Sequence, residues 1–380
     1  MEWLSQRFEL SRGEKGHNVR PMEGLRGFAV FLVFLVHYVT FIRPWISEPS
    51  DLSRFADSVH MIGNTGVDLF FVLSGYLIYG SLISRPQKFP RFMSRRVERI
   101  YPAFAVVFVI YILLSMVSPA HNKIPNTGLD ETIYLIENFL LLPGLFPIEP
   151  MITVAWSLSY EIFFYLAIPL VIVALGLRRW SVAQRAGLFL ALALGTTLSF
   201  SVVEGHVRLI MFISGILLHE FAGNRAIAAP GSVIGLLALV GGLLAMLLPV
   251  AGPGGFALKT GLLFVAFFMV CATCICRPGA WLSRMFSWTP VRWLGNMSYS
   301  YYLLHGLALQ ASFLALAAIV PTAQQGPLFF WGLLPVMFAW TLIPTSALFL
   351  LVERPYSLSQ RRAGEASKRN SGETGLLGRS

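Results

Sequence analysis

Charged residues are scarce in this sequence. Of its 380 residues, 13% are Asp, Glu, Lys or Arg and 56% are hydrophobic, whereas an average soluble domain carries about 25% charged residues. This composition excludes a water-soluble globular fold.

Cysteine is also rare, and so are the motifs of soluble enzymes. The three cysteines, Cys271, Cys274 and Cys276, fall within one apolar run, so the sequence holds no disulfide framework. Their C-x-x-C spacing lacks a second pair of ligands, and we predict no metal site. Walker loops, dinucleotide fingerprints and Gly-x-Ser-x-Gly elbows are missing from any usable context, which argues against ATP-driven and soluble-hydrolase functions.

Long apolar runs dominate instead. Runs of roughly 18 to 25 residues are each long enough to cross the bilayer as a helix, and they are apolar on all sides, unlike barrel strands. We therefore predict an all-α integral membrane protein, a bundle of about ten transmembrane helices. The predicted spans are 27–43, 64–84, 100–118, 156–177, 186–203, 209–222, 231–250, 258–276, 294–319 and 328–352.

The positions of the basic residues predict the orientation. With ten crossings, all but five of the 29 Lys and Arg residues fall on one side, which the positive-inside rule makes cytoplasmic, together with both termini. The net charge of +10 then needs no nucleic acid to explain it. Segment 132–147 contains Pro143 and Gly144 and is short for a crossing, so we expect an interfacial or re-entrant helix there.

Three parts follow from this topology. Residues 1–26 form a cytoplasmic N-terminal segment that is not a removable signal peptide, and residues 27–356 form the membrane domain. Residues 357–380, rich in Gly, Ser, Arg and Lys, are predicted to be a disordered basic cytoplasmic tail.

Ionisable side chains inside the predicted spans are the first candidates for chemistry, because each costs at least about 2.5 kcal/mol to insert. Counting along the helices puts His37, Asp68 and Glu161 at one depth in the outer half. A histidine at the level of carboxylates can act as a general base. The alternatives are interhelical hydrogen bonds and a transport pathway. His305, near mid-depth, is either functional or a packing group.

Arginines at the cytoplasmic side are the second group of candidates. Arg96 and Arg99 stand three residues apart on one helix face and suit phosphate oxygens. The alternative is a topology signal paired with anionic lipid. Arg26 lies at the cytoplasmic mouth of the first span, roughly 16 Å along the helix from His37.

Six motifs, in order from about residue 20 to 356, resemble the integral-membrane acyltransferase family 3, which includes bacterial O-acyltransferases. The motifs are Arg20-Pro-Met-Glu-Gly-Leu-Arg-Gly-Phe-Ala followed by His37, Gly66-Val-Asp-Leu-Phe-Phe-Val-Leu-Ser-Gly-Tyr-Leu-Ile78, Arg96-Val-Glu-Arg99-Ile-Tyr-Pro, Trp156-Ser-Leu-Ser-Tyr-Glu161, Leu294-Gly-Asn-Met-Ser-Tyr-Ser-Tyr-Tyr-Leu-Leu-His305 and Val352-Glu-Arg-Pro355. Ile162 departs from the pattern, because the family often has a second acidic residue there.

The resemblance implies a multi-pass acyltransferase of the bacterial inner membrane. It would move an acyl group, commonly acetyl, from cytoplasmic acyl-CoA to a hydroxyl, often of a cell-surface or lipid-linked saccharide. Acyl-CoA would be a co-substrate, and no tightly bound cofactor is expected. Some members append an extracytoplasmic hydrolase-like domain. None is seen in this sequence, so we expect direct handover or a separate partner protein.

The mechanistic hypothesis joins these observations. His37 would deprotonate the acceptor or carry the acyl group transiently, with Asp68 or Glu161 fixing its tautomer. Arg96, Arg99 and Arg26 would bind CoA phosphates. The competing hypotheses are a lipid or sugar transporter without acyl transfer and a non-catalytic acyl-CoA sensor.

Overall fold

The described part of the chain consists of helices and the loops that join them, with no β-strand. The computed structural model describes residues 2–10, 20–117, 122–125, 127–203, 205–224, 228–322 and 325–358. The helices are α1 (Glu2–Phe8), α2 (Arg20–Ile42), α3 (Asp51–Gly63), α4 (Thr65–Ser84), α5 (Phe89–Val117), α6 (Gly128–Phe139), α7 (Trp156–Ala174), α8 (Val182–Val202), α9 (Ile210–Gly223), α10 (Ser232–Ala245), α11 (Gly252–Cys276), α12 (Trp281–Phe286), α13 (Thr289–Asn296), α14 (Ser298–Ile319) and α15 (Pro327–Leu348), followed by a π-helical stretch over Phe349–Leu358. The predicted all-α class is confirmed for these residues.

Eight helical segments of the described chain are long and apolar enough to cross a membrane. The two other predicted spans, 209–222 and 231–250, correspond to the shorter helices α9 and α10, each of 14 residues. A helix of that length rises only about 21 Å, less than the hydrocarbon thickness of about 30 Å. Most of α9 is buried among other helices, so protein rather than lipid surrounds it. The count of ten and the cytoplasmic termini stay predictions.

Several boundaries differ from the sequence-based ones. Helix α2 begins at Arg20 and so includes the end of the predicted 1–26 segment. Helix α3 was not predicted, because its charged residues resemble a loop; a capping box between Ser50 and Ser53 starts it. The predicted span 294–319 is interrupted at Met297. Helical structure continues to Leu358, and the remainder of the predicted tail lies outside the described residues.

The segment 132–147 contains the end of α6 and a return loop. Helix α6 has 12 residues, about 18 Å of rise, too short for a crossing. The buried Asn138 side chain then fixes the segment around Glu149 and Met151 by two hydrogen bonds. It donates to the Glu149 carbonyl oxygen at 3.3 Å and accepts from the Met151 N–H at 2.7 Å. Its location in the outer interface stays a prediction.

Helix α2 lies at the centre of the bundle. It packs against α3, α4, α13 and α14, while α8 lies at the edge with only Phe189 and Ala193 buried. Glycines permit the closest contacts. A Cβ on Gly24 or Gly295 would overlap a backbone carbonyl across the α2 contacts with α12 and α13, and a Cβ on Gly75 or Gly215 would do the same between α4 and α9. Small residues of this kind allow helix backbones to approach in membranes.

An ion pair fixes α13 against the start of α2. Arg292 of α13 lies 3.1 Å from the Glu23 carboxylate of α2 and also pairs with Glu9. Asn296 donates to the Phe8 carbonyl oxygen at 2.9 Å. The acidic residue of the first sequence motif is thus structural and joins α2 to α13.

Candidate functional site

His37 lines a cavity of about 350 Å³. Its helix, α2, is apolar along most of its length, and His37 is one of its few polar side chains. The residues that line the cavity are Val33, Val36, His37, Thr40, Phe41, His60, Asn64, Val67, Tyr111, Thr153, Val154, Trp156, Tyr302, Leu303, Gly306 and Gln310. The cavity therefore lies between α2, α3, α4, α5, α14 and the segment that leads into α7.

The lining combines apolar side chains with amide, hydroxyl and imidazole groups and contains no carboxylate. His60 comes from α3, Asn64 follows the last residue of α3, Gln310 comes from α14, and Trp156 supplies a large aromatic face. Amides, hydroxyls and an aromatic ring are suited to a neutral, hydroxyl-rich molecule. Among the lining residues no arginine or lysine is present, so the cavity itself offers nothing to pair with a pyrophosphate.

His305 is the polar residue that the fold places against His37. The centroids of the two rings are 4.9 Å apart, with an interplanar angle of 65°. His305 is fully buried, and its Nδ1 lies 2.8 Å from the Tyr301 carbonyl oxygen and 3.0 Å from that of Tyr302. The contact joins α2 to α14.

Asp68 lies away from His37, beside an arginine. Its carboxylate is 3.7 Å from the Arg208 guanidinium, and that guanidinium lies over the Trp156 ring at 5.6 Å from the centroid. Asp68 is buried and forms no hydrogen bond to His37 among the described residues. Its connection to the cavity is indirect: Asp68 pairs with Arg208, and Arg208 packs on Trp156, which lines the cavity.

Glu161 is held by hydroxyl groups. It accepts a hydrogen bond from Ser74 at 3.0 Å and another from Tyr165. Within the described part of the chain it has no hydrogen bond to His37. The three predicted catalytic residues thus are not joined into one hydrogen-bonded cluster in the described part of the chain.

Arg96 lies against two aromatic rings. Its guanidinium lies over the rings of Phe92 and Tyr165, at 5.4 and 5.6 Å from their centroids. Its Nε is buried and has no hydrogen-bond partner among the residues that the structure describes. Arg96 is therefore oriented by aromatic packing, next to the tyrosine that bonds Glu161.

Arg99 joins two further motifs. It forms an ion pair with Glu353 of the π-helical stretch, and the other oxygen of that carboxylate accepts from the Ser300 N–H at 3.0 Å and the Ser300 hydroxyl at 2.6 Å. Its guanidinium also lies 5.5 Å from the centroid of the Tyr299 ring. Glu353 thus fixes both Arg99 and the start of α14.

Arg26 contacts the first residue of α14. Its Nε and Nη2 lie 3.2 and 3.1 Å from the Ser298 hydroxyl, and its guanidinium lies 6.0 Å from the Phe70 ring centroid. Arg26 on α2 and Arg99 on α5 therefore both contact the first two residues of α14.

Helix α14 contacts more of the predicted site residues than the sequence indicated. Within its first turns it presents Ser298 to Arg26, Tyr299 to Arg99, and His305 to His37. Ser298 and His305 are seven residues apart, about two helical turns, and so lie on one face of α14, whereas Tyr299 is next to Ser298 and points about 100° away around the helix. The run of hydroxyl-bearing residues that ends in a histidine was the available signal.

The fold and the cavity define a multi-pass helical membrane protein with a histidine-lined internal site. A family profile described as "Acyltransferase domain" matches residues 21–346. The chain belongs to this acyltransferase family, as the ordered motifs predict.

Two bacterial relatives extend the comparison. The chain is 27% identical over 278 residues to peptidoglycan O-acetyltransferase OatA of Listeria monocytogenes, which covers 64% of this chain and 44% of the relative. It is 26% identical over 334 residues to O-acetyltransferase OatA of Staphylococcus aureus, covering 78% of this chain and 52% of the relative. The chain spans about half the length of these curated relatives. No solved structure matches it.

Proposed function

We propose that this protein is an O-acyltransferase of the bacterial cytoplasmic membrane. It transfers an acyl group, acetyl in the first instance, from acyl-CoA to a hydroxyl of a cell-surface or lipid-linked saccharide. The observation that carries the proposal is the position of His37, which lines a cavity with amide and hydroxyl groups in a member of an acyltransferase family.

The cavity is the proposed acceptor site. Asn64 and Gln310 supply amide donors and acceptors, and Trp156 supplies a face on which a sugar ring can stack. Because the lining lacks arginine and lysine, it favours an uncharged saccharide over a phosphorylated one. The Listeria relative is named for peptidoglycan, and we infer that a peptidoglycan sugar is the first acceptor to test.

The donor binds at the other end. Arg96, Arg99 and Arg26 supply guanidinium donors for the CoA phosphates. Arg26 and His37 lie on one helix, roughly 16 Å apart along its axis. The extended pantetheine arm of acyl-CoA spans such a gap, so phosphate binding at the cytoplasmic end is compatible with a thioester beside His37.

The chemical step uses His37 as a general base. A ring nitrogen takes the proton from the acceptor hydroxyl, the oxygen bonds to the thioester carbonyl carbon, and the carbon–sulfur bond breaks. The CoA thiolate leaves and receives the proton from the imidazolium. General-base help of this kind is worth about 10² to 10⁴ in rate.

The test is acetyl transfer by the purified full chain in detergent or liposomes. With radiolabelled acetyl-CoA and a soluble peptidoglycan fragment as the acceptor, we expect labelled product from the unmodified protein. A His37→Ala variant should lose about 10² to 10⁴ in kcat. His219→Ala is the matched control, since His219 packs against Tyr76 and Tyr79 and does not line the cavity. Full activity in the His37→Ala protein would refute the base assignment.

Thioester cleavage separates this proposal from its competitors. A transporter or a non-catalytic sensor releases no CoA thiol, whether or not an acceptor is present. If the folded protein binds acetyl-CoA but yields no thiol with any saccharide acceptor tried, the acyltransferase proposal is wrong.

A further inference from the structure

His305 has one nitrogen that is satisfied and one that is not. Its Nδ1 lies within hydrogen-bond distance of two backbone carbonyl oxygens, those of Tyr301 and Tyr302. Its Nε2 is fully buried and has no hydrogen-bond partner in the described part of the chain. A buried polar atom without a partner costs about 1 to 3 kcal/mol, so this nitrogen needs an explanation.

The backbone contacts decide which nitrogen of His305 carries the proton. A carbonyl oxygen only accepts hydrogen bonds, so Nδ1 must be the donor. A neutral imidazole with Nδ1 protonated leaves a lone pair on Nε2. The unpartnered atom is therefore an acceptor that waits for an N–H or O–H.

In the described part of the chain, the one polar ring outside α14 that contacts His305 is that of His37. The Tyr301 ring stacks on His305 at 5.2 Å and 13°, so it meets the face of the imidazole and not its nitrogen. His37 meets it edgewise, at 4.9 Å between centroids and 65° between planes. His37 forms no hydrogen bond with Asp68 or Glu161 among the described residues, since those carboxylates are held by Arg208, Ser74 and Tyr165.

We propose that His305 is the positioning residue for His37. Its Nε2 accepts a hydrogen bond from one N–H of His37 as the substrates bind, which leaves the other nitrogen of His37 with its lone pair directed to the cavity. Catalytic hydrogen bonds are often long before substrate binds. The proton of this hydrogen bond stays on His37, and the proton of the acceptor hydroxyl goes to the other nitrogen of His37, which becomes an imidazolium. This inference rests on the proposed function and replaces the carboxylates as the group that orients the base.

His305 acts only through His37. It has no exposed surface and does not line the cavity, so a substrate cannot touch it. Its removal is therefore expected to lower kcat and to leave the KM for acetyl-CoA and for the saccharide nearly unchanged. A merely structural role would instead lower the amount of folded protein, with kcat per folded molecule preserved.

Three substitutions separate the acceptor role from ring packing. His305→Gln can place an amide oxygen near the position of Nε2, His305→Asn keeps a donor for the backbone carbonyls but does not reach that far, and His305→Phe keeps the ring without any acceptor. We expect kcat to fall about 10- to 100-fold in the Asn and Phe proteins, the range found when the partner of a metal-ligating histidine is removed, and to recover to within a few fold in the Gln protein.

The assay is steady-state acetyl transfer from acetyl-CoA to the peptidoglycan fragment, normalised to monodisperse protein. Wild-type kcat in the Asn and Phe proteins would overturn the inference, and so would a Gln protein as impaired as the Phe protein. His37→Ala distinguishes this failure from that of the proposed function. If His37→Ala is inactive while His305→Phe is fully active, only the inference is lost. If His37→Ala is active, the base assignment and the inference fall together.

Discussion

The ion pair between Arg99 and Glu353 gives the sharpest prediction about the donor end of the site. Glu353 has no exposed surface, and the Arg99 side chain is 23% exposed. Replacing Arg99 by alanine leaves a buried carboxylate without its counter-charge, which costs about 3 to 5 kcal/mol. The Ser300 N–H and hydroxyl still donate to that carboxylate, so we expect the lower end of this range.

A second substitution should recover much of that loss. In the Arg99→Ala/Glu353→Gln protein no charge is left buried, and the amide oxygen can still accept from Ser300. We expect the double variant to be more stable than Arg99→Ala alone, with a coupling of about 0.5 to 3 kcal/mol. The measurement is the fraction of monodisperse protein that survives a temperature series in detergent. An Arg99→Ala protein as stable as the unmodified one would refute the buried-charge reasoning.

The same double variant tests donor binding without the folding defect. If Arg99 contributes a charge-assisted hydrogen bond of about 1.5 to 3 kcal/mol to CoA, the KM for acetyl-CoA should rise about 10- to 100-fold. The matched control is Arg185→Ala/Glu220→Gln, which removes another buried pair, bonded at 2.7 and 2.8 Å, that is outside the proposed site. An unchanged KM in the Arg99 double variant would remove Arg99 from the donor site.

Three further predictions concern packing and the cavity. Gly75→Val should greatly reduce the yield of monodisperse protein, because the new side chain would overlap a carbonyl of α9. The control Gly187→Val has open space around it and should not reduce the yield. Equal yields would contradict the close packing of α4 against α9. Asp68→Asn should raise the KM for the saccharide several fold with kcat less affected, because it weakens the hold on Arg208; a loss confined to kcat would instead make Asp68 part of the chemistry. Asn138→Ala should lose about 1 to 3 kcal/mol of local stability and expose the loop after α6 to protease, and an unchanged cleavage pattern would rule this out.

The membrane class and the helical secondary structure were determined by the sequence alone. An apolar run as long as the bilayer is thick must satisfy its own backbone hydrogen bonds, and a helix does this within the segment. The family was equally accessible, because its motifs are local. Local information also gave two wrong predictions. Helix α3 was missed because Asp51, Arg54 and Asp57 are typical of a loop. The span 294–319 was predicted as one helix, but the structure interrupts it at Met297.

The grouping of the site residues was decided by the tertiary structure. Counting residues gives the depth of His37, Asp68 and Glu161, because the rise per residue is fixed. It does not give the direction in which each side chain points, which depends on how each helix is rotated against its neighbours. That rotation brings Asp68 to Arg208, Glu161 to Ser74, and His305 to His37.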